Sequence, residues 1–101
     1  MLAEFSIVPT DELHMSRDVA RVVEVLEGSG VDYRLGPMGT SLEGDWDSVM
    51  TAIKACHQAV TNGHGRVITT ITIDDRMDST HRLDEMVWSV EQALGHAAKH
   101  Q

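Results

Sequence analysis

Apolar and polar positions alternate with period two from Ala3 to Val8. Ala3, Phe5 and Ile7 fall on one side and Glu4, Ser6 and Val8 on the other, which predicts a strand packed on one face. Pro9 ends that strand and "PTDELHM" is a polar loop. The period then lengthens. Val19, Val22, Val23 and Leu26 recur at helical spacing, with Ser16 as the expected N-cap, Asp18 favourable in the first turn, and "GSG" at 28–30 as the stop. Val31, Tyr33 and Leu35 alternate again as a second strand. "GTSLEG" makes a short third strand, with the turn between them at Pro37, Met38 and Gly39. A second helix starts at Gly44 or Asp45. Its apolar stripe runs through Trp46, Val49, Met50, Ile53, His57 and Val60, and Asn62-Gly63 closes it. "RVITTITID" reads as a fourth strand, Val67, Thr69, Ile71 and Ile73 facing one way and Ile68, Thr70 and Thr72 the other. After the polar "DDRMDSTH", a third stripe of Leu83, Met86, Val87, Val90, Leu94 and Ala97 predicts a C-terminal helix.

The order β-α-β-β-α-β plus a helix predicts an α+β fold: a ferredoxin-like sandwich of two helices on one face of an antiparallel four-stranded sheet. Residues 1–101 form a single domain in this scheme. The other sheet face stays bare unless the third helix or a second subunit covers it. Tyr33, Leu42 and Ile68 are the residues expected there, and sheet-to-sheet pairing into a homodimer or larger homo-oligomer would remove them from water.

Composition narrows the function classes. The net charge of -8, with scattered Lys and Arg, argues against nucleic acid as a partner. No apolar run reaches the ~20 residues that span a bilayer, so no membrane partner is expected. The N-terminal "MLAEFSIVP" lacks the basic start of a signal peptide. Cys56 is the single cysteine, which suits a reducing, cytoplasmic setting and forbids an internal disulfide.

The chemistry-bearing residues concentrate in "PMGTSLEGDWDSV", residues 37–49. Two roles are open for it. Glu43 and Asp45 can cap the second helix and favour its positive end, with Trp46 opening the core stripe. Alternatively, Thr40 or Ser41 bonds a polar heterocycle, Glu43 offsets a positive charge, and Trp46 stacks on a ring. Elsewhere Asp74, Asp75 and Arg76 read as a solvated turn with a weak ion pair. His96 and His100 have the i, i+4 spacing of a helical metal pair but no third ligand, so no metal is expected. His57 reads as a packed, hydrogen-bonded histidine, and adjacency to Cys56 makes no nucleophile-base pair, because neighbours on a helix point apart. No Walker loop, G-x-G-x-x-G or G-x-S-x-G occurs. Glu43 as a general base would lack a nucleophile and a partner acid, so no catalysis is expected.

"AEFSIVP", "PMGTSLEGDWDSVMTAIKACHQA", "GRVITTITIDDRMD" and "SVEQAL" together resemble the thiamine-binding protein family, small stand-alone ferredoxin-like proteins once catalogued as uncharacterised. The resemblance runs from Ala3 to Leu94, and "PMGT-x-x-EG-x-W" and "IDDR" are its most specific parts. It implies non-enzymatic binding of thiamine or its hydroxymethylpyrimidine moiety, with no cofactor, and assembly into dimers and tetramers through the sheets. Carried over by motif, Thr40 and Glu43 match the pocket, followed by Ser41, Trp46 and Ser6, the last from the alternate face of the first strand. The loop after Pro9 departs from the family in lacking a glycine. A carboxylate, a hydroxyl and an aromatic plane suit a thiazolium joined to an aminopyrimidine. The rival role is a structural or regulatory homo-oligomer that binds no vitamin.

Overall fold

The computed structural model describes residues 1–11 and 15–76. The C-terminal helix expected around Leu83 to Ala97, and the pair His96 and His100, lie outside the described residues. Six elements follow one another: β1 (Leu2–Pro9), α1 (Ser16–Ser29), β2 (Asp32–Leu35), β3 (Thr40–Glu43), α2 (Trp46–Thr61) and β4 (Val67–Asp74). The strands form one sheet in the order β2-β3-β1-β4, every neighbouring pair antiparallel.

β1 is central, and its register fixes both faces. Phe5 lies opposite Thr40 on one side and Ile71 on the other, and Ala3 lies between Leu42 and Ile73. Antiparallel partners point the same way, so Ala3, Phe5, Thr40 and Leu42 share the face that meets the helices. There they join Val22 and Leu26 of α1 and Val49, Ala52, Ile53, Cys56 and Val60 of α2 in one buried cluster. The apolar spacing of both helices exists to meet this face.

Helix ends follow local chemistry. Asp45 caps α2: its Oδ1 accepts from the Ser48 amide at 2.8 Å and its Oδ2 from the Ser48 hydroxyl at 2.9 Å. α1 ends where Gly30 adopts φ 75°, a left-handed conformation that glycine takes without a side-chain clash. At its other end Met15, not Ser16, is the N-cap, and no side chain caps it. Ser16 is already helical. Asn62 keeps an extended conformation at the end of α2, and Gly63 takes the positive φ of 114°.

Two expected core placements change. Trp46 is 53% exposed, and the buried part of the α2 stripe starts one turn later at Val49 and includes Ala52 and Cys56. As the first helical residue, Trp46 precedes the turn that meets the sheet. Tyr33 and Leu42 belong to the helix-covered face, because Tyr33 pairs with Leu42 and Leu42 with Ala3. Of the three residues assigned to the bare face, Ile68 alone lies there, opposite Val8 and exposed like it.

His57 behaves as the stripe suggests: half-buried, its Nδ1 lies 2.6 Å from Thr69 Oγ1 and ties α2 to β4.

Candidate functional site

β1 pairs with β3 only through residues 2–5, but pairs with β4 through Pro9. Beyond Phe5 its edge on the β3 side runs alone for residues 6–9. The β2-β3 turn and the start of α1 stand across from that edge and leave a cleft of about 170 Å³. Phe5, Ile7, Val22 and Val60 form its apolar depth, and Met15, Val19, Leu35 and Met38 border it. Met38 is 85% exposed at the turn and Val19 and Leu35 are also open to water, so the mouth is an apolar rim.

The turn approaches β1 closely. Gly36 donates its amide to the Gly39 carbonyl at 2.8 Å. A Cβ on Gly39 would lie 2.9 Å from the Phe5 carbonyl oxygen, nearer than real Cβ atoms come. Only glycine lets the turn sit this low on the cleft wall.

Polar groups in the cleft are few and deeply set. Thr40 and Asp18 are the buried polar residues among those described, at 7% and 5% exposure, and both line this space. Asp18 is held from behind. His64 Nε2 lies 3.0 Å from Asp18 Oδ1, and His64 Nδ1 lies 2.8 Å from Asp11 Oδ1. Asp11 Oδ2 in turn accepts from the Gly65 amide at 3.2 Å. Carboxylates are acceptors, so two ionised partners favour the imidazole with a proton on each ring nitrogen. The bond to Asp18, then that to Asp11, raises the His64 pKa above its ordinary value. The Gly65 amide, then His64, lowers that of Asp11.

Among the described residues no group of three or more His, Cys, Asp or Glu is arranged to hold a metal ion. No described helix is long and apolar enough to cross a membrane.

The family model for "Thiamine-binding protein" matches residues 3–91. The chain belongs to the thiamine-binding protein family. It is 42% identical over 96 residues to a UPF0045 protein of Methanothermobacter thermautotrophicus, covering 91% of this chain and 97% of that one. It is 36% identical over 100 residues to the UPF0045 protein YqgV of Bacillus subtilis, covering 92% and 96%. Among solved structures, protein MJ1052 of Methanocaldococcus jannaschii superposes with a TM-score of 0.82 at 30% identity, over 90% of this chain and 95% of that one. A Thermotoga maritima protein, provisionally described as a thiamine biosynthesis or salvage protein, superposes with a TM-score of 0.75 at 21% identity, over 88% and 96%. These neighbours share the small α+β architecture with its four-stranded sheet.

In this thiamine-binding family member the residues singled out by motif do not converge. Thr40 and Ser6 border the cleft. Thr40 does so with its side chain on the helix face, and Ser6 sits in the lone edge of β1 while its side chain alternates to the open face. Ser41 and Glu43 pair with Glu4 and Leu2, and so share that open face. Trp46 stands exposed at the start of α2 and does not line the cleft. The spacing Thr40-x-x-Glu43 on a strand puts the two side chains on opposite sides. Asp18, His64 and Asp11 are what sequence reasoning missed. Asp18 matched a helix-dipole acid, and His64 lies 46 and 53 residues from its two partners, so no local pattern joins them.

Proposed function

We propose that the protein binds thiamine or its hydroxymethylpyrimidine moiety without transforming it, as a carrier, buffer or sensor, in the cleft between α1, β1 and the β2-β3 turn. The observation that carries this is Thr40: a residue only 7% exposed, whose hydroxyl has no hydrogen bond among the described residues and borders an apolar cleft. Buried polar groups are nearly always partnered, and one that opens into a cleft is a natural contact for a ligand. The family's description as thiamine-binding, and the provisional description of the Thermotoga maritima neighbour, support the choice of ligand. The volume is below the ~300–1,000 Å³ of pockets for drug-sized molecules, which suits one ring inside and the rest at the Met38 rim. Sheet order and two helices on one face agree with a ferredoxin-like sandwich, and the lone buried cysteine agrees with a cytoplasmic protein.

Calorimetric titration with thiamine and with hydroxymethylpyrimidine tests the reading. Thr40→Val should weaken binding by roughly tenfold, the effect of one lost hydrogen bond. Glu43→Ala decides whether the open face takes part: an equal loss there would move the ligand to that face. No heat from either ligand with the wild type would end the proposal.

A second reading rests on Val8 and Ile68, which face each other in register on the open face at 43% and 47% exposure. We infer that a second copy covers them, giving a homodimer or homotetramer joined through the sheets. Sedimentation of Ile68→Lys should show a smaller species than the wild type, and an unchanged mass would overturn it.

A further inference from the structure

Asp18 carries more structure than a helix-dipole acid needs. It is 5% exposed, yet lines the same cleft as Thr40. Among the described residues its hydrogen bonding is confined to Oδ1, which faces His64 Nε2. Oδ2 has no partner there. Among the described residues no fully enclosed side-chain nitrogen or oxygen lacks a partner, so Oδ2 is not sealed in the core, and the cleft is open space that Asp18 lines. His64 fixes the carboxylate's orientation, because its second nitrogen is tied to Asp11 and Asp11 to the Gly65 amide. Among the described residues two carboxylates flank the one imidazole, which balances at most one of them. A buried carboxylate with one lone oxygen, lining the same apolar cleft as the Thr40 hydroxyl, asks for a flat ligand bearing N–H donors.

We infer that Asp18 is a ligand-binding residue that accepts through Oδ2 from the exocyclic amine of an aminopyrimidine-type heterocycle, with His64 as its positioning residue. This rests on the cleft being the ligand site proposed above. The pairing also sets specificity. An analogue with a ring carbonyl in place of the amine would present an acceptor to an acceptor, and sites built to bond a donor reject ligands that lack it. Thr40, which both donates and accepts, supplies affinity without that discrimination.

The test is a pair of calorimetric titrations on the full chain, with 4-amino-5-hydroxymethyl-2-methylpyrimidine and with its 4-oxo analogue. The wild type should prefer the amine by at least ~10². Asp18→Asn is nearly isosteric and offers an amide that donates as well as accepts, so the preference should fall to within ~10-fold. His64→Gln should reduce the same ratio, which a general loss of folded protein would not do, since that lowers binding of both compounds alike. In a second measurement, the His64 ring nitrogens of the wild type are followed by NMR. Saturation with the amine should move their signals and lower their titration midpoint, because Asp18 then shares its charge with the ligand. Binding by the wild type with a ratio unchanged in Asp18→Asn, or with His64 signals unmoved, overturns this inference and leaves the proposed function standing. Binding of neither compound overturns both.

Discussion

The backbone of Gly39 lies so close to the Phe5 carbonyl oxygen that an added Cβ would meet it at 2.9 Å. Gly39→Ala should therefore lift the β2-β3 turn away from β1 and destabilise the fold by ~1–3 kcal/mol, as overpacking does. Ligand affinity should fall with it. Gly28 is the contrast: a Cβ there meets nothing within 4 Å, and the residue sits inside α1. Gly28→Ala should stabilise by ~0.5–1 kcal/mol through helix propensity. Urea melts of the two variants should shift in opposite directions.

Exposure and burial make a second contrast between residues only four positions apart. Trp46 is half open to solvent, whereas Leu42 is fully enclosed under the helices. Trp46→Ala should change stability by no more than ~0.5 kcal/mol. Leu42→Ala should cost ~2–5 kcal/mol, because a cavity remains in a core with little slack. Equal losses in denaturant melts would show that Trp46 packs as the periodic stripe suggested.

At Asp45 the cap is separable from the charge. Hydrogen bonds from the Ser48 amide and hydroxyl hold the Asp45 carboxyl below its ordinary pKa. Asp45→Ala should lower the melting temperature, while Asp45→Asn, also a good N-cap, should retain most of it. The stabilisation is present above the ordinary value of 3.8 and is lost as pH falls through the folded value. The Asp45→Ala deficit should thus shrink in acid.

The Asp11-His64-Asp18 tie has a window of its own. The His64 pKa is raised above its ordinary 6.5, so its contribution is complete below 6.5 and is lost as pH rises through the folded value. The Asp11 pKa is lowered from 3.8, so its contribution is present above 3.8 and is lost as pH falls through the folded value. The wild type should exceed His64→Gln in melting temperature most clearly between these two limits. The gap should narrow toward alkaline pH and again in strong acid. A gap that stays flat from pH 4 to 9 would show that His64 is held by packing alone.

Cys56 gives a probe of opening. Burial pushes its thiol up to about 11, and its Sγ lies 3.9 Å from the Val22 carbonyl oxygen between the two helices. Iodoacetamide should leave it unmodified in the native protein at pH 8 and react at a rate set by unfolding. Rapid native labelling would mean that the α1-α2 seam opens locally.

Periodicity alone located every described element to within a few residues. Alternation over β1 and the 3.6-residue stripes of α1 and α2 are imposed by the same buried face that the structure shows, whereas in β4 Ile71 and Ile73, on the helix-facing side, are exposed among the described residues. Which sheet face a short strand presents was less legible. Tyr33 and Leu42 looked fit for an open face, and only the register with Ala3 assigns them to the core. The candidate site was legible in half. Thr40 and Ser6 border the cleft, but a strand sends Ser41 and Glu43 the other way. Asp18, His64 and Asp11 come together through tertiary folding across some fifty residues, a relationship that spacing along a chain does not encode.

β1 has neighbours on both sides for its first four residues and on one side for the next four. Its early amides should thus be among the last in the protein to exchange with solvent. The floor beside Phe5 is in effect a fixed anvil. The facing turn is closed by the Gly36-to-Gly39 bond. Any adjustment to a guest of different size falls on that turn, so variants with altered ligand preference should be sought at residues 36–38 before the sheet is touched.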